Sequence, residues 1–391
     1  MPPDLQQMML EATRLTRLGD IAAATTLIRE ALRDAEGPAA GGYPAGSGPA
    51  PASGPDLRRA ADGAPAADAA AVIDVVAREI GSRPSPSDSP QPAESEPRRP
   101  QADGGPDGGR FVSGSFAHRS AGTRDYKLYL PPQALQQNAP LPLVVMLHGC
   151  TQDPDDFARG TAMNEAAAAQ GFFVLYPAQS QQMNPQRCWN WFKHSHQERG
   201  RGEPALLADL TRDVIANYAI DPERVYVAGL SAGGAMAAIL GQTYPDVFAA
   251  VGVHSGLAAG AANDLPSAFA AMQGSGSGMP PEASGMPTIV FHGDADSTVH
   301  PSNAEQVIAA SIGKGSVLRP EAVPSSQGRR TTRRVHRDAA GKATAELWTV
   351  HGAPHAWAGG QAQGTYTDGA GPDATAEMVR FFNEHRRRRP N

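Results

Sequence analysis

The chain has 391 residues, enough for two average domains or for one large α/β domain with an appendage, which rules out a small disulfide-stapled fold. Hydrophobic residues make up 40%, while Gly (42) and Pro (35) together fill about one position in five, more than a uniformly packed chain carries. A net charge of −6 supplies no basic footprint for nucleic acid, which is excluded as an expected partner.

The first twenty residues carry Asp4, Glu11, Arg14, Arg17 and Asp20 around a short apolar run, Met8 to Leu10, so no signal peptide is read here. No window reaches the roughly 18 apolar residues that span a bilayer. A cytoplasmic location is the expectation unless export takes another route, and in that compartment Cys150 and Cys188 are expected as free thiols. Residues 4 to 33 read as a helical hairpin: Leu5, Met8, Met9, Ala12 and Leu15 recur at helical spacing, Gly19-Asp20 breaks, and Ile21, Ala24, Leu27, Ile28 and Leu32 resume. Residues 1–35 thus form a first unit. Alone it cannot bury its apolar stripe, so it should dock on the main domain, self-associate, or bind a partner or a granule surface.

From 36 to 110 the chain turns to Gly, Ala, Pro and Ser, interrupted by one amphipathic stretch from Asp68 through Val72, Ile73 and Val76 to Ile80. Pro, Ser and Gly fill more than half of residues 82–110, too little apolar surface to offset chain entropy, and 36–110 is read as a largely disordered linker. The catalytic unit is then 111–391. There strand and helix signals alternate. Strands are predicted at Tyr126–Leu130, Leu143–Leu147, Phe172–Tyr176, Arg224–Ala228, Ala249–Val253 and Thr288–Phe291; helices at Ala162–Gln170, Leu206–Tyr218, Ala232–Gln242, Asn303–Ser311 and Ala374–Glu384; and a hairpin at Thr332–His336 with Ala345–Val350. Such alternation predicts an α/β domain, a mostly parallel sheet with helices on both faces and its chemistry beyond the carboxyl ends of the strands. The Arg386–Arg389 run is read as a cationic helix C-terminus favoured by the macrodipole, with binding to an anionic surface as the alternative.

Between a predicted strand and a predicted helix lies Gly229-Leu230-Ser231-Ala232-Gly233. Small residues must flank a serine on so tight a turn, and this context makes Ser231 a candidate nucleophile. A serine hydroxyl needs a general base, and the base a carboxylate that orients it. After the strand ending at Phe291 two aspartates compete in His292-Gly293-Asp294-Ala295-Asp296. The acid usual in hydrolases of this kind follows the His-Gly by three residues and precedes a valine by three, which selects Asp296 and leaves Asp294 to stabilise the loop. For the base, His355 lies on a loop of small residues past the strand ending at Val350, whereas His351 sits at the strand end in a structural position. His351 and His355, like His194 and His196, lack the third ligand and the H-E-x-x-H pattern of a metal site, and no metal or cofactor is expected. Oxyanion donors are expected from the Ala232 amide and from the turn His148-Gly149-Cys150, with Cys150 the best candidate, and His148 itself is read as bracing this loop.

The blocks Leu147-His148-Gly149-Cys150-Thr151-Gln152, Tyr176-Pro177-Ala178-Gln179, Cys188-Trp189-Asn190-Trp191-Phe192, Asp221-Pro222-Glu223-Arg224-Val225-Tyr226-Val227, Gly229 to Met236 and Tyr244-Pro245-Asp246-Val247-Phe248 occur in this order. Together they closely resemble the esterase family of poly(3-hydroxybutyrate) depolymerases, whose relatives include feruloyl and acetylxylan esterases, over roughly residues 123 to 385. The resemblance implies an α/β-hydrolase fold, a Ser231–Asp296–His355 triad and hydrolysis of short-chain hydroxyalkanoate esters, or of the polyester or its oligomers, through an acyl-enzyme. It also implies a disulfide between Cys150 and Cys188, and a substrate pocket near His148, Trp189 and Trp191, whose indoles either wall the acyl chain or are core aromatics. A feruloyl- or acetylxylan-type carboxylesterase is the alternative within enzymes; a granule-surface scaffold is the alternative outside them.

Overall fold

A computed structural model describes residues 102–104, 108–136, 139–275, 283–312, 317–321 and 328–387. The hairpin expected over 1–35, and most of the linker expected over 36–110, lie outside these residues. The end of that linker is an exception: Ala102–Gly104 forms a short strand, β1, paired antiparallel with the edge of the next strand, β2 (Arg110–His118). A composition too polar to build a core can still add backbone hydrogen bonds to an open sheet edge.

The chain continues as β3 (Gly122–Leu130), helix α1 (Pro132–Gln136), β4 (Leu141–Leu147), α2 (Pro154–Thr161), α3 (Met163–Gln170), β5 (Phe173–Pro177), α4 (Gly202–Asn217), β6 (Ile220–Leu230), α5 (Ala232–Thr243), β7 (Ala250–His254), α6 (Leu265–Met272), β8 (Thr288–Gly293), α7 (Ser302–Ile312), β9 (Arg319–Glu321), β10 (Thr331–Arg337), β11 (Ala343–Val350), β12 (Trp357–Ala358), β13 (Thr367–Asp368) and α8 (Ala374–Asn383). Eleven strands form one sheet in the order β1-β2-β3-β5-β4-β6-β7-β8-β11-β10-β9, with β12 and β13 as a separate pair. The six central strands, β5 to β11 in that order, are mutually parallel, and antiparallel strands flank them on both sides.

Strand character follows burial. In β4 every residue after Leu141 is buried, and all five residues of β7 are, the continuous apolar run of strands covered on both faces. One core cluster joins Val145 and Val227 to Leu206 and Leu210 of α4, Met236 and Leu240 of α5 and Val307 of α7. The other joins Val144 and Tyr226 to Phe157 of α2, Met163 of α3 and Met378, Phe381 and Phe382 of α8. Helices therefore cover both faces, as the alternation predicts. Helix ends obey local chemistry: Asp153 caps α2 by accepting the Asp156 amide at 2.9 Å, and Gly171 ends α3 at φ 76°. Among the described residues no helix is long and apolar enough to cross a membrane.

The parallel register brings the carboxyl ends together. Leu147 of β4 pairs with Gly229 of β6, Leu230 with His254 of β7, His254 with Phe291 of β8, and Gly293 with Val350 of β11. The loops that follow these strands carry His148 to Cys150, Ser231, Asp294 to Asp296, and His351 to His355.

Candidate active site

Ser231 stands between β6 and α5 at φ 57°, ψ −119°, a backbone conformation that costs a non-glycine residue free energy. Its surroundings hold it there. The Ser231 amide donates to His254 O at 2.9 Å, and Ser231 O accepts from the Ala235 amide at 2.9 Å as α5 begins. A methyl group added at Gly229 would overlap the backbone of Gly233, and one added at Gly233 would overlap the carbonyl oxygens of Leu147 and His148. The glycines of the pentapeptide are thus required by close backbone approach, and what approaches is the β4 loop. That loop reaches the serine itself, since a Cβ at Gly149 would lie 3.7 Å from Ser231 Cβ.

The two aspartates each take a different histidine. His355 Nδ1 is 2.7 Å from Asp296 Oδ2, while His351 Nδ1 is 2.7 Å from Asp294 Oδ2. The environments differ. The Asp296 side chain is fully buried and its Oδ1 accepts the amides of Thr298 and Val299, each at 2.9 Å, whereas the Asp294 side chain is 41% exposed. Burial alone would raise the Asp296 carboxyl, but hydrogen bonds from His292 and His355, the His355 charge and the Val299 amide outweigh it and hold this group well below the usual carboxylate range. An ionised Asp296 accepts from Nδ1–H, so the neutral imidazole of His355 carries its lone pair on Nε2, the arrangement a general base requires. Asp294 accepts the Gly352 amide at 2.6 Å, and His351 Nε2 lies 2.8 Å from Thr332 Oγ1, which pins the loop that carries His355 to β10. Gly293 contributes by being small: a side chain there would overlap the Ala353 carbonyl, so the loops carrying Asp296 and His355 could not meet.

His148 is buried, and both ring nitrogens are occupied. The Gln179 amide donates to Nε2 at 3.1 Å, so the proton resides on Nδ1, which donates to Gly149 O at 2.7 Å. Gly149 C=O and Cys150 N–H belong to one trans peptide, so this bond turns the Cys150 N–H away from the imidazole. The neighbouring amides are engaged, Gly149 with Gln152 Oε1 at 2.9 Å and Thr151 with Gln186 O at 2.7 Å; among the described residues the Cys150 and Ala232 amides have no protein acceptor. His148 therefore braces the loop by orienting a peptide, and its ring is buried rather than lining the substrate pocket that the resemblance implies. Burial lowers its pKa to about 4, and lowers that of His254, whose Nε2 accepts the Ala358 amide at 2.9 Å, to about 3. Both imidazoles take up protons more readily when the chain unfolds. Stability should therefore fall as pH drops from about 6.5 towards 4. Urea denaturation across that range should show a shallower fall in His148→Asn than in the wild type; equal slopes would remove His148 from this account.

Cys150 and Cys188 are joined by a disulfide, as the resemblance implies and not as the free thiols of the first expectation, which ties the loop after β4 to the segment after Gln186. Trp189 and Trp191 are 0% and 4% exposed and belong to the core cluster, so their indoles do not wall an open pocket. What holds them is a buried polar network. Glu203 accepts the Asn190 amide at 2.7 Å, Asn190 Nδ2 at 2.8 Å and Gln179 Nε2 at 2.5 Å; burial works against its ionisation, yet these bonds and His196 keep its carboxyl below the ordinary value. Gln179 links this network to His148. Glu203 and His254 are site-supporting residues that the motifs did not single out. Among the described residues no cluster of three or more His, Cys, Asp or Glu side chains could hold a metal ion.

The sequence model described as esterase PHB depolymerase matches residues 124–321, just over half the chain. Poly(3-hydroxyalkanoate) depolymerase C of Paucimonas lemoignei is 32% identical over 238 residues, 57% of this chain and 56% of that protein. Feruloyl esterase B of Neurospora crassa is 34% identical over 143 residues, 35% of this chain and 47% of that protein. The chain thus spans about half the length of these relatives. The solved structure of an acetyl xylan esterase from Aspergillus awamori superposes with a TM-score of 0.51 at 18% identity, covering 70% of this chain and 99% of that one, a likeness of fold: the α/β-hydrolase. Ser231 and Asp296 lie inside the family match; His355 lies beyond it.

Proposed function

We propose, from the premise that this chain belongs to the esterase PHB depolymerase family, that it is a serine esterase cleaving short-chain hydroxyalkanoate esters through an acyl-enzyme. The observation that carries this reading is the buried Asp296–His355 pair, 2.7 Å apart, on loops that leave strands adjacent in the same sheet as the Ser231 elbow. Ser231 Oγ attacks the ester carbonyl and passes its proton to His355 Nε2. Asp296 stays ionised and stabilises the imidazolium. The tetrahedral oxyanion receives the Ala232 and Cys150 amides, each such donor being worth about 10²- to 10³-fold in kcat. The C–O bond to the alcohol then breaks as His355 returns the proton to the leaving oxygen, and water repeats the sequence to release the acid.

The substrate class rests on the family and on a relative named as a poly(3-hydroxyalkanoate) depolymerase. A second reading is favoured by the feruloyl esterase relative. Initial rates on 3-hydroxybutyrate oligomers, methyl ferulate and acetylated xylan separate the two. The oligomers should be cleaved with the highest kcat/KM; a preference for methyl ferulate or acetylated xylan would replace the hydroxyalkanoate assignment while leaving the serine mechanism in place.

A further inference from the structure

Tyr366 is 42% exposed, one of few large apolar side chains so placed among the described residues, and its backbone sits at φ 53°. A tyrosine held in the left-handed region persists only where its neighbours over-determine it. They do. Thr365, one residue earlier, donates its amide to Asp156 Oδ1 at 3.0 Å and its hydroxyl to Asp156 Oδ2 at 2.5 Å, and its carbonyl accepts from Gln152 Nε2 at 3.1 Å. The same Gln152 accepts the Gly149 amide. On the other side, Tyr366 O accepts the Trp357 amide at 2.7 Å, two residues past His355.

The side chain closes the span. Tyr366 Oη lies 3.3 Å from Thr151 Oγ1, and Thr151, itself at φ 66°, directly follows Cys150. Tyr366 therefore connects the loop of the base to the loop of the oxyanion donor, with its ring outside the core. We infer that Tyr366 is a specificity-determining residue of this site, its ring forming a wall against which the apolar chain beside the scissile carbonyl packs; the inference rests on the esterase reading. A residue whose backbone is already held in place has less conformational freedom to lose when a chain settles on its ring, so more of the apolar contact there is retained as binding free energy.

The test compares wild type, Tyr366→Ala and Tyr366→Phe on two series: p-nitrophenyl acetate, butyrate and hexanoate, which vary the acyl chain, and methyl, butyl and benzyl butyrate, which vary the alcohol. In Tyr366→Ala the ratio of kcat/KM for the largest to the smallest ester should fall about tenfold in one series, which identifies the chain that meets the ring. Tyr366→Phe, which keeps the ring, should retain the wild-type ratio. Unchanged ratios in both series for Tyr366→Ala, or an equal loss in Tyr366→Phe, would overturn the wall. A wild type without hydrolysis that depends on Ser231 would instead overturn the esterase reading and the wall with it.

Discussion

Ser231→Ala should lower kcat on p-nitrophenyl butyrate by about 10⁵- to 10⁶-fold, because removing the nucleophile removes the covalent path and leaves only what the oxyanion donors and binding supply. The fold should not suffer. Among the described residues Ser231 Oγ has no hydrogen-bond partner, and alanine is held at φ 57° at a backbone cost similar to that of serine, so stability should stay within about 0.5 kcal/mol. Ser231→Gly sharpens the expectation. Glycine accepts this backbone without strain, and its melting temperature should rise above that of the wild type although activity is equally lost. Activity and stability moving in opposite directions would identify the elbow as a place where backbone strain is maintained for a hydroxyl. Undiminished hydrolysis by Ser231→Ala would eliminate the mechanism.

The aspartates provide the second large effect. Asp296→Asn should reduce kcat by about 10⁴-fold, since an amide facing Nδ1 no longer demands the proton there and the lone pair is lost from Nε2. Asp294→Asn should cost less than about tenfold. Its partner, His351, bonds Thr332 rather than a reacting group, and the carboxylate is partly exposed, where such pairs contribute little. The pH dependence of stability separates them further. A carboxyl held below its ordinary value contributes stability above the unfolded pKa of about 3.8 and loses it as pH falls, so the acid limb should weaken more in Asp296→Asn than in Asp294→Asn. Equal losses of activity in the two variants would reopen the choice of acid.

The spacing rule that selects Asp296 was legible because both the His-Gly turn and the valine lie within a few residues of it. The pairing of Asp294 with His351 was not. The two are 57 residues apart, and the spacing within either loop does not say that they meet. Trp189 and Trp191 show the same limit from another side. Their pattern is that of aromatics beside a site, yet packing against α4 and the Glu203 network places both indoles in the core. Elements that alternate weakly went unread: β2 is buried at Val112 but otherwise half-open or exposed, and β12 and β13 have two residues each.

By itself the sequence determined the mostly parallel architecture and the serine elbow, because continuous apolar runs, strand-to-helix alternation and glycines around one serine are local signals that short-range sterics and burial turn directly into structure. Only the tertiary structure decided that Asp294 takes His351, that both indoles lie in the core, and that Tyr366 spans the two loops. Each of these depends on strands far apart in the chain ending side by side in one sheet. Where they end follows from hydrogen-bond register across the whole domain, which no stretch of sequence carries alone.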